Sequence, residues 1–542
     1  MKKKLFFAML LGAMTLSGAA QGYNDGIEYY KAGQYGNAIT LLERNLNNPS
    51  TDKAMAYYYL GQAYSARKNN TKALECFKQG IAANPDNAYN YVGLGALELL
   101  NKNKGAAEDN FKKAQSLAKK NTEVLVDIAR AYYNADPVAY EKDINKFLDK
   151  ARKQSKYKEP AIYVLEGDRK FDAQDYNGAV ADYEQAITFD EDNPEGYVKY
   201  ANTYYYVVPE YAIEKLKEFL QRRPQSALAQ RELAEKYYDT GQWTQAARQY
   251  GDYINNPNHF PEDKARYAVL LLAGEQFDKA LQTADEVLKG NPNDVTLQRI
   301  AIRSLDKLDR KAEGLERAKA FFNNPATQKD INAADYRIYA GLLAANNDST
   351  GLEVILKGIE KFPADPSLYS AASDVYYAMK DYRNAADYMV KAIENNPEAK
   401  NNDKFIAAQL YGNAASIAQQ AGNLELAKED ADKGLVLMNQ LIGEDAAAAP
   451  YQYLFLRGRL YTSANGGKPD AKAIADFETE LSIFNKDPEN ANPANPKNQI
   501  NTYALLNTLI YNFYKNEGNQ EKADAAKAEL DKYTALKEQL SK

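Results

Sequence analysis

A single cysteine, a single histidine and a single tryptophan in 542 residues narrow what this chain can do. Cys76 has no partner, so no disulfide can form within the chain, and a small hydrophobe beside Phe77 reads as packing. A reactive thiol would need exposure and a lowered pKa. One histidine cannot build a His-based triad or a multi-histidine metal site, and His259, in Asn256-Pro257-Asn258-His259-Phe260-Pro261, reads as a turn residue. Long apolar runs are missing too. The stretch Leu5 to Leu16 is 12 residues long, too short for a hydrocarbon core of ~30 Å. It follows Lys2, Lys3 and Lys4 and precedes Ser17-Gly18-Ala19-Ala20, so a secretory signal peptide is expected over residues 1–20, cut before Gln21. With no cysteine at the cut, a lipoprotein anchor is not indicated. The tri-lysine start suits bacterial export to the periplasm, free or peripheral to the outer membrane, with no membrane span left after cleavage. Removal of the leader leaves 65 basic against 74 acidic residues, a formal charge of −9.

Motifs for bound phosphate, metal and nucleic acid are also wanting. Gly466-Gly467-Lys468 lacks the G-x4-G-K-[ST] spacing of a phosphate cradle and has no strand before it. Asp190-Glu191-Asp192-Asn193-Pro194-Glu195-Gly196 begins like a calcium loop, but Pro194 takes a ligand slot, the glycine comes one residue late, and the twelfth position holds no glutamate. The basic run Lys150, Arg152, Lys153, Lys156, Lys158 reads as a solvated helix face in an acidic, exported chain rather than a track for a phosphate backbone. Among 74 acidic residues no pair stands out for acid–base work. The expectation is therefore no enzyme, no cofactor, no metal and no nucleic acid.

What the chain has in excess is tyrosine, 43 copies. Charged residues at 26% and hydrophobic ones at 45% make an ordinary soluble balance. The segment Tyr57, Leu60-Gly61, Tyr64, Ala73, Phe77, Pro85 has a helical logic. Small residues (Gly61, Ala73) sit where two antiparallel helices approach, large ones (Leu60, Tyr64, Phe77) fill the gaps, and Pro85 ends the second helix before Asp86-Asn87 opens the next. One such hairpin cannot bury its own apolar face, so neighbours must stack.

The spacing W-x2-L-G-x2-Y…A-x3-F…P, with Tyr57 in the Trp slot, resembles the tetratricopeptide-repeat superfamily. Counted from Ala54, further units start near Ala88, Thr122, Pro160, Pro194, Ala227, Pro261, Asp294, Ala333 and Pro366, and seven of the nine intervals are 33 or 34 residues. A partial unit with Gly26, Tyr29, Ala38 and Leu42 precedes them. Past Pro397 units start near Ala408, Tyr451 and Ala504, at intervals of 42, 43 and 53. The lengthening falls in Asn395 to Asp403, Gly443 to Pro450, Gly466 to Pro469 and Asp487 to Asn498. The expected plan is an all-α solenoid, a right-handed superhelix of about 14 helix pairs: a regular array over 21–397, then irregular pairs and a capping helix over 398–542.

The resemblance implies that the first helix of each unit lines a concave face, with positions 2, 5, 9, 12 and 13 turned toward a ligand. Position 12 is then Tyr30, Tyr133, Phe171, Tyr205, Tyr238 and Tyr377; position 9 is Gln62, Arg130, Asp168, Asn202, Glu235, Asp374 and Arg459. Residues three apart share a helix face. The expected groove is thus Gln62, Arg130, Tyr133, Asp168, Phe171, Asn202, Tyr205, Glu235, Tyr238, Asp374 and Tyr377. The position-12 aromatics either bind a partner or pad the inner face against neighbouring repeats. A terminal-carboxylate clamp is not expected, because position 5 is Tyr58, Val92, Val126, Val164, Val198, Arg231 and Arg337 rather than Lys. The implied function is a protein-interaction scaffold of the bacterial envelope with an unidentified protein partner and undetermined oligomeric state. The alternative is a carbohydrate or small-ligand binder that stacks rings on the Tyr/Phe face.

Overall fold

The computed structural model describes residues 22–205, 207–484 and 497–540. The expected leader and most of the Asp487 to Asn498 insert lie outside the described residues. Every described element is helical, and the 28 α-helices follow one another in a repeated, solenoid-like arrangement. The chain divides into two compact units, Met1–Ser304 and Leu305–Lys542.

The first unit opens with α1 (22–31) and α2 (Tyr35–Asn45), then α3 (Lys53–Ala66), α4 (Asn70–Ala83), α5 (Ala88–Leu100) and α6 (Lys104–Ala118). It continues through α7 (Glu123–Ala135), α8 (Glu141–Ser155), α9 (Pro160–Asp172), α10 (Tyr176–Phe189), α11 (Pro194–Tyr204) and α12 (Pro209–Arg222). Next come α13 (Ala227–Asp239), α14 (Trp243–Ile254), α15 (Asp263–Ala273), α16 (Phe277–Leu288) and α17 (Val295–Lys307), inside which the units divide. The second unit holds α18 (Lys311–Asn323), α19 (Ala333–Ala345), α20 (Gly351–Lys361), α21 (Pro366–Ala378), α22 (Tyr382–Glu394) and α23 (Asn401–Gln420). It ends with α24 (Leu424–Ile442), α25 (Tyr451–Ala464), α26 (Ala471–Phe484), α27 (Lys497–Asn516) and α28 (Gln520–Leu540).

From Ala54 to Pro366 each expected unit start falls within two residues of the first residue of an odd-numbered helix. Tyr451 also opens its helix, whereas Ala408 and Ala504 lie seven residues inside α23 and α27. There the expectation needs correcting: Asn401 to Asp403, which read as loop, are the first turn of α23. The Asp403 carboxylate accepts from the Lys400 backbone N–H at 2.9 Å and starts the helix early.

Turns between hairpins follow the sequence chemistry. Asn84 ends α4, and the Asn87 side chain accepts from the Asn90 N–H at the start of α5. Asp52, Asn69, Asn103, Asp175, Asn193 and Ser226 cap their helices in the same way. The calcium-like run is such a turn, closed by Asn193 accepting from the Gly196 N–H at 2.8 Å. His259 stands in the loop after α14, its Nδ1 2.7 Å from the Asn256 carbonyl. Cys76 is half-buried, and burial, then the Glu75 and Glu43 charges, push its thiol up to about 11.

Close helix approach is where the small residues act. A Cβ on Gly61 would fall 2.4 Å from the Phe77 ring, and one on Gly95 2.3 Å from the Phe111 ring. Each pair is a glycine of a first helix facing the aromatic of its second helix, so the sequence interval of 16 is a packing distance. Between repeats, Phe77 also meets Gly93 of the next first helix.

One contact set has no counterpart in the repeat pattern. The first hairpin packs against the segment from Arg223 to Phe260, so the stack of the first unit closes on itself. Glu28, 2% exposed, pairs with Arg223 at 2.7 Å and accepts from Ser226 Oγ at 2.6 Å. Asn258 Nδ2 donates to Asp25 at 2.8 Å, Gln34 Nε2 donates to Glu232 at 2.5 Å, and the Tyr29 and Phe260 rings meet edge to face at 5.4 Å.

Candidate functional site

Closure of the first unit brings its odd-numbered helices around a common interior. Two adjoining cavities lie there, of about 520 and 280 Å³, and both are lined by Arg130, Asn134, Asp168 and Lys199. Arg130 and Asp168 are position-9 residues of successive repeats and pair at 3.1 Å. Lys199 completes the bridge to Asp168 at 2.6 Å, and Glu195 sits 3.5 Å from Arg130. Tyr183, the packing aromatic of α10, donates its hydroxyl to Asp168 at 3.0 Å. An ion-pair chain thus runs along the inner faces of α7, α9 and α11.

The larger cavity reaches further around the interior. Tyr58 of α3 donates to Asp127 of α7 at 2.8 Å, and Gln62 donates to the Tyr58 hydroxyl at 2.9 Å. Lys31 of α1 lies 3.8 Å from Glu123. Tyr30 packs its ring 5.2 Å from Tyr59. Burial, then the Glu123 charge, push the Asp127 carboxyl up to about 7, against the pull of Arg130, Tyr58 and Lys31. Burial works against the Lys31 cation, but Glu123, Glu195 and Asp127 outweigh it and raise its pKa. Six carboxylates and three cations line this cavity, an acidic balance.

Of the expected groove residues, Arg130, Tyr133, Asp168, Phe171 and Asn202 line the smaller cavity together. The other six do not. Asp374 and Tyr377 belong to α21 of the second unit, where Tyr377 is 54% exposed and touches Tyr382 of its own hairpin. Glu235 pairs with Arg266 of the next repeat at 2.5 Å.

Several position-12 aromatics grip the following repeat. Tyr133 donates to Asp172 at 2.5 Å, Lys236 lies over the Tyr205 ring at 4.4 Å, and Arg266 over the Tyr238 ring at 4.3 Å. These rings couple consecutive first helices, which is the padding role. Among the described residues, Phe171, against Tyr176 of its own hairpin, and Tyr377 have no such bridge. Position 5 departs from the family expectation in α5, α7, α9 and α11: Val92, Val126, Val164 and Val198 are buried. Branched apolar side chains there pack between helices instead of meeting a ligand, which leaves no slot for a clamp lysine.

Sequence reasoning by positions 9 and 12 missed Glu123, Asp127, Glu195 and Lys199. They stand at positions 2 and 6 of the units that start at Thr122 and Pro194, and charge at both positions in these two units, with Ala161 and Leu165 in the unit between them, was the available signal. Among the described residues no group of three or more His, Cys, Asp or Glu could hold a metal ion. No described helix is long and apolar enough to cross a membrane.

Comparison with known proteins agrees with the register. Tetratricopeptide-repeat family models match residues 54–87 and 366–398, and a TPR-repeat model matches 167–206. The first two coincide with the pairs α3–α4 and α21–α22. A stretch of 101 residues, 18% of this chain, is 37% identical to the protein CTR9 homolog of Arabidopsis thaliana, so the chain spans 9% of that protein's length. Similar solved structures include the C-terminal part of a TPR repeat-containing protein from Cytophaga hutchinsonii, with 16% identity, TM-score 0.37, and coverage of 49% of this chain and 93% of that one. A tetratricopeptide repeat protein from Parabacteroides merdae shows 15% identity and TM-score 0.35 over 46% of this chain and 98% of its own. Yeast Tom70 shows 13% identity and TM-score 0.31 over 97% and 99%. These scores lie below the range in which two chains share one overall arrangement. Three repeat matches, two of them in step with an observed helix pair, show that the chain carries tetratricopeptide repeats.

Proposed function

We propose that this chain is a non-catalytic scaffold of the bacterial cell envelope, exported by its N-terminal leader, that holds a segment of a protein partner in the interior of its first unit. The observation that carries the reading is the pair of adjoining cavities on the inner faces of α7, α9 and α11. Their walls offer tyrosine and phenylalanine edges with polar groups nearby, a composition that suits protein recognition. The acidic balance of the larger cavity favours a segment carrying Lys or Arg, and Asp127 would ionise fully once a cation enters.

Pull-down from an envelope fraction tests the reading. Asn202 lines the smaller cavity and its side chain makes no hydrogen bond to another described residue, so Asn202→Trp fills the space while leaving the inter-repeat bridges of Tyr133, Tyr205 and Tyr238 in place. The expected result is a discrete protein that co-purifies with wild type and is lost with the variant. Co-purification of the same proteins with both defeats the groove assignment. Retention of a glycan in place of a protein, lost in the variant, favours the carbohydrate alternative.

A further inference from the structure

Charge is spread unevenly along this chain. Residues 102–120 and 141–158, which hold α6 and α8, contain thirteen basic residues against five acidic ones, a balance of +8 in a chain whose total is −6, so the remainder carries −14. The five acids are all engaged: Asp109 with Lys112, Glu108 and Asp143 with Lys104, Asp149 with Arg152, and Glu141 with Arg169. Ten lysines of this stretch are left exposed and without an ion-pair partner. In one dimension Lys150 to Lys158 read as a single solvated helix face, but folding sets a second basic face beside it. Lys142, Lys146, Lys150 and Lys153 recur at intervals of four, four and three, so they form one stripe along α8, about 22 Å long. Lys150 Nζ donates to Gln115 Oε1 at 2.7 Å, which fixes that stripe alongside α6 and its Lys113 and Lys120. A helix C-terminus favours Lys119, Lys120 and Lys153, but Lys142 stands in the first turn of α8 and Lys146 and Lys150 in its middle, where the dipole opposes a cation or gives nothing.

We propose that the outer face of α6 and α8 docks the protein on an anionic membrane surface, by attraction to lipid headgroups and without insertion. Three features select this occupant. The unpaired cations are all lysines, compact charges on flexible stems that suit a diffuse field, whereas oriented capture of one carboxylate or phosphate favours the arginine fork. Arg152, the one arginine of the stretch, is already taken by Asp149 and Glu166. Next, the lysines run in stripes over two side-by-side helices instead of converging on a point, the arrangement that meets an extended charged plane. Finally, Tyr157 is the only exposed aromatic on these helices and their ends, too little for the stacking platform of a single-stranded nucleic acid and too little apolar surface to enter the bilayer. The negative remainder of the chain is repelled by the same surface, so this face turns toward lipid. The inner faces of the first helices then stay open to a partner.

Co-sedimentation with vesicles tests this on the chain from Gln21 onward, which keeps every described helix and removes the apolar stretch Leu5 to Leu16 as a source of binding. The protein is expected to sediment with phosphatidylcholine vesicles that contain about a third phosphatidylglycerol and to stay in solution with phosphatidylcholine alone, and salt at about 0.5 M should release it. Lys142→Gln, Lys146→Gln, Lys150→Gln and Lys153→Gln together are expected to weaken binding about a hundredfold or more, at roughly fivefold per lysine. The same loss of charge through Lys289→Gln, Lys400→Gln, Lys468→Gln and Lys472→Gln, all exposed elsewhere, should change binding less than about threefold, because charges beyond a Debye length are screened. Circular dichroism verifies the fold of both variants. Asn202→Trp should leave vesicle binding unchanged, so the outcome is independent of the groove assignment. Equal sedimentation with both kinds of vesicle, none with the anionic ones, or equal loss in the two lysine variants overturns the proposal. So does binding of poly-glutamate or of an oligonucleotide, lost in the α8 variant, without sedimentation on anionic vesicles.

Discussion

Phe77 is fully buried and wedged between two backbones, and that geometry sets the outcome of adding one methyl group. A Cβ on Gly93 would lie 2.2 Å from the ring and one on Gly61 2.4 Å, where carbon atoms pack at about 3.5–4.0 Å. The ring cannot retreat from one glycine without closing on the other. Gly93→Ala is therefore expected to cost about 1–3 kcal/mol, the overpacking range, although alanine is the better helix former. Phe77→Leu alone loses contacts and costs about 1–2 kcal/mol. In the double variant the smaller side chain makes room for the methyl group, so the two costs should fall short of additive by about 1 kcal/mol or more. Hydrogen exchange read on peptides from α4 and α5 is the suitable assay, because a repeat array need not unfold in one step. A neutral Gly93→Ala, or strictly additive costs, would refute the wedge and with it the reading of the 16-residue glycine–aromatic interval as a packing distance.

Other expectations follow from burial and backbone conformation. In the second unit the same substitution should act with opposite signs at two glycines: Gly341→Ala, mid-helix with open space around it, stabilises by about 0.5–1 kcal/mol, whereas Gly422→Ala, at φ +77°, destabilises by about 1 kcal/mol. Thermal melts of the two variants check both. Glu480 is 3% exposed, and burial, then the Asp476 charge, push its carboxyl up to about 8. A carboxyl raised on folding contributes stability that is full below its unfolded value near 4.5 and is lost as pH rises through 8. The second unit should thus melt lower at pH 9 than at pH 5, and Glu480→Gln should flatten that difference by about 2 °C or more; an unchanged pH profile counts against it. Cys76 should resist alkylation by iodoacetamide at pH 8 in the folded chain and react on unfolding; rapid labelling of native protein would contradict its buried setting.

The parts of the fold that local chemistry dictates were legible in the sequence. Asn and Asp caps, prolines at helix starts, and the paired glycine and aromatic residues repeat at a fixed interval, so the helix pairs from α3 to α22 could be placed within two residues. The long helices α23 and α27 were harder, because good helix formers upstream of Ala408 extend a helix without changing the repeat motif. Closure of the first hairpin onto Arg223 to Phe260 was not legible at all: it depends on accumulated curvature, and its signs, the buried acids Asp25 and Glu28, look like ordinary surface residues in one dimension. The groove shows the same division. Positions 9 and 12 led to Arg130, Tyr133, Asp168, Phe171 and Asn202, but Glu123 and Asp127 matter because α3 and α7 face each other across the interior. Arg459, placed by position alone, lines a cavity of the second unit only because α23 brings Gln409 and Asn413 to face it.

The central claim, that the inner face of the first unit holds a protein, is tested most directly by site-specific photo-crosslinking in the native host. Benzoylphenylalanine placed at Asn202, inside the smaller cavity, should yield a discrete adduct with one or a few proteins, while the same group at Lys78, exposed on α4, should yield none. Equal adducts from both positions, or none from position 202, would contradict the account.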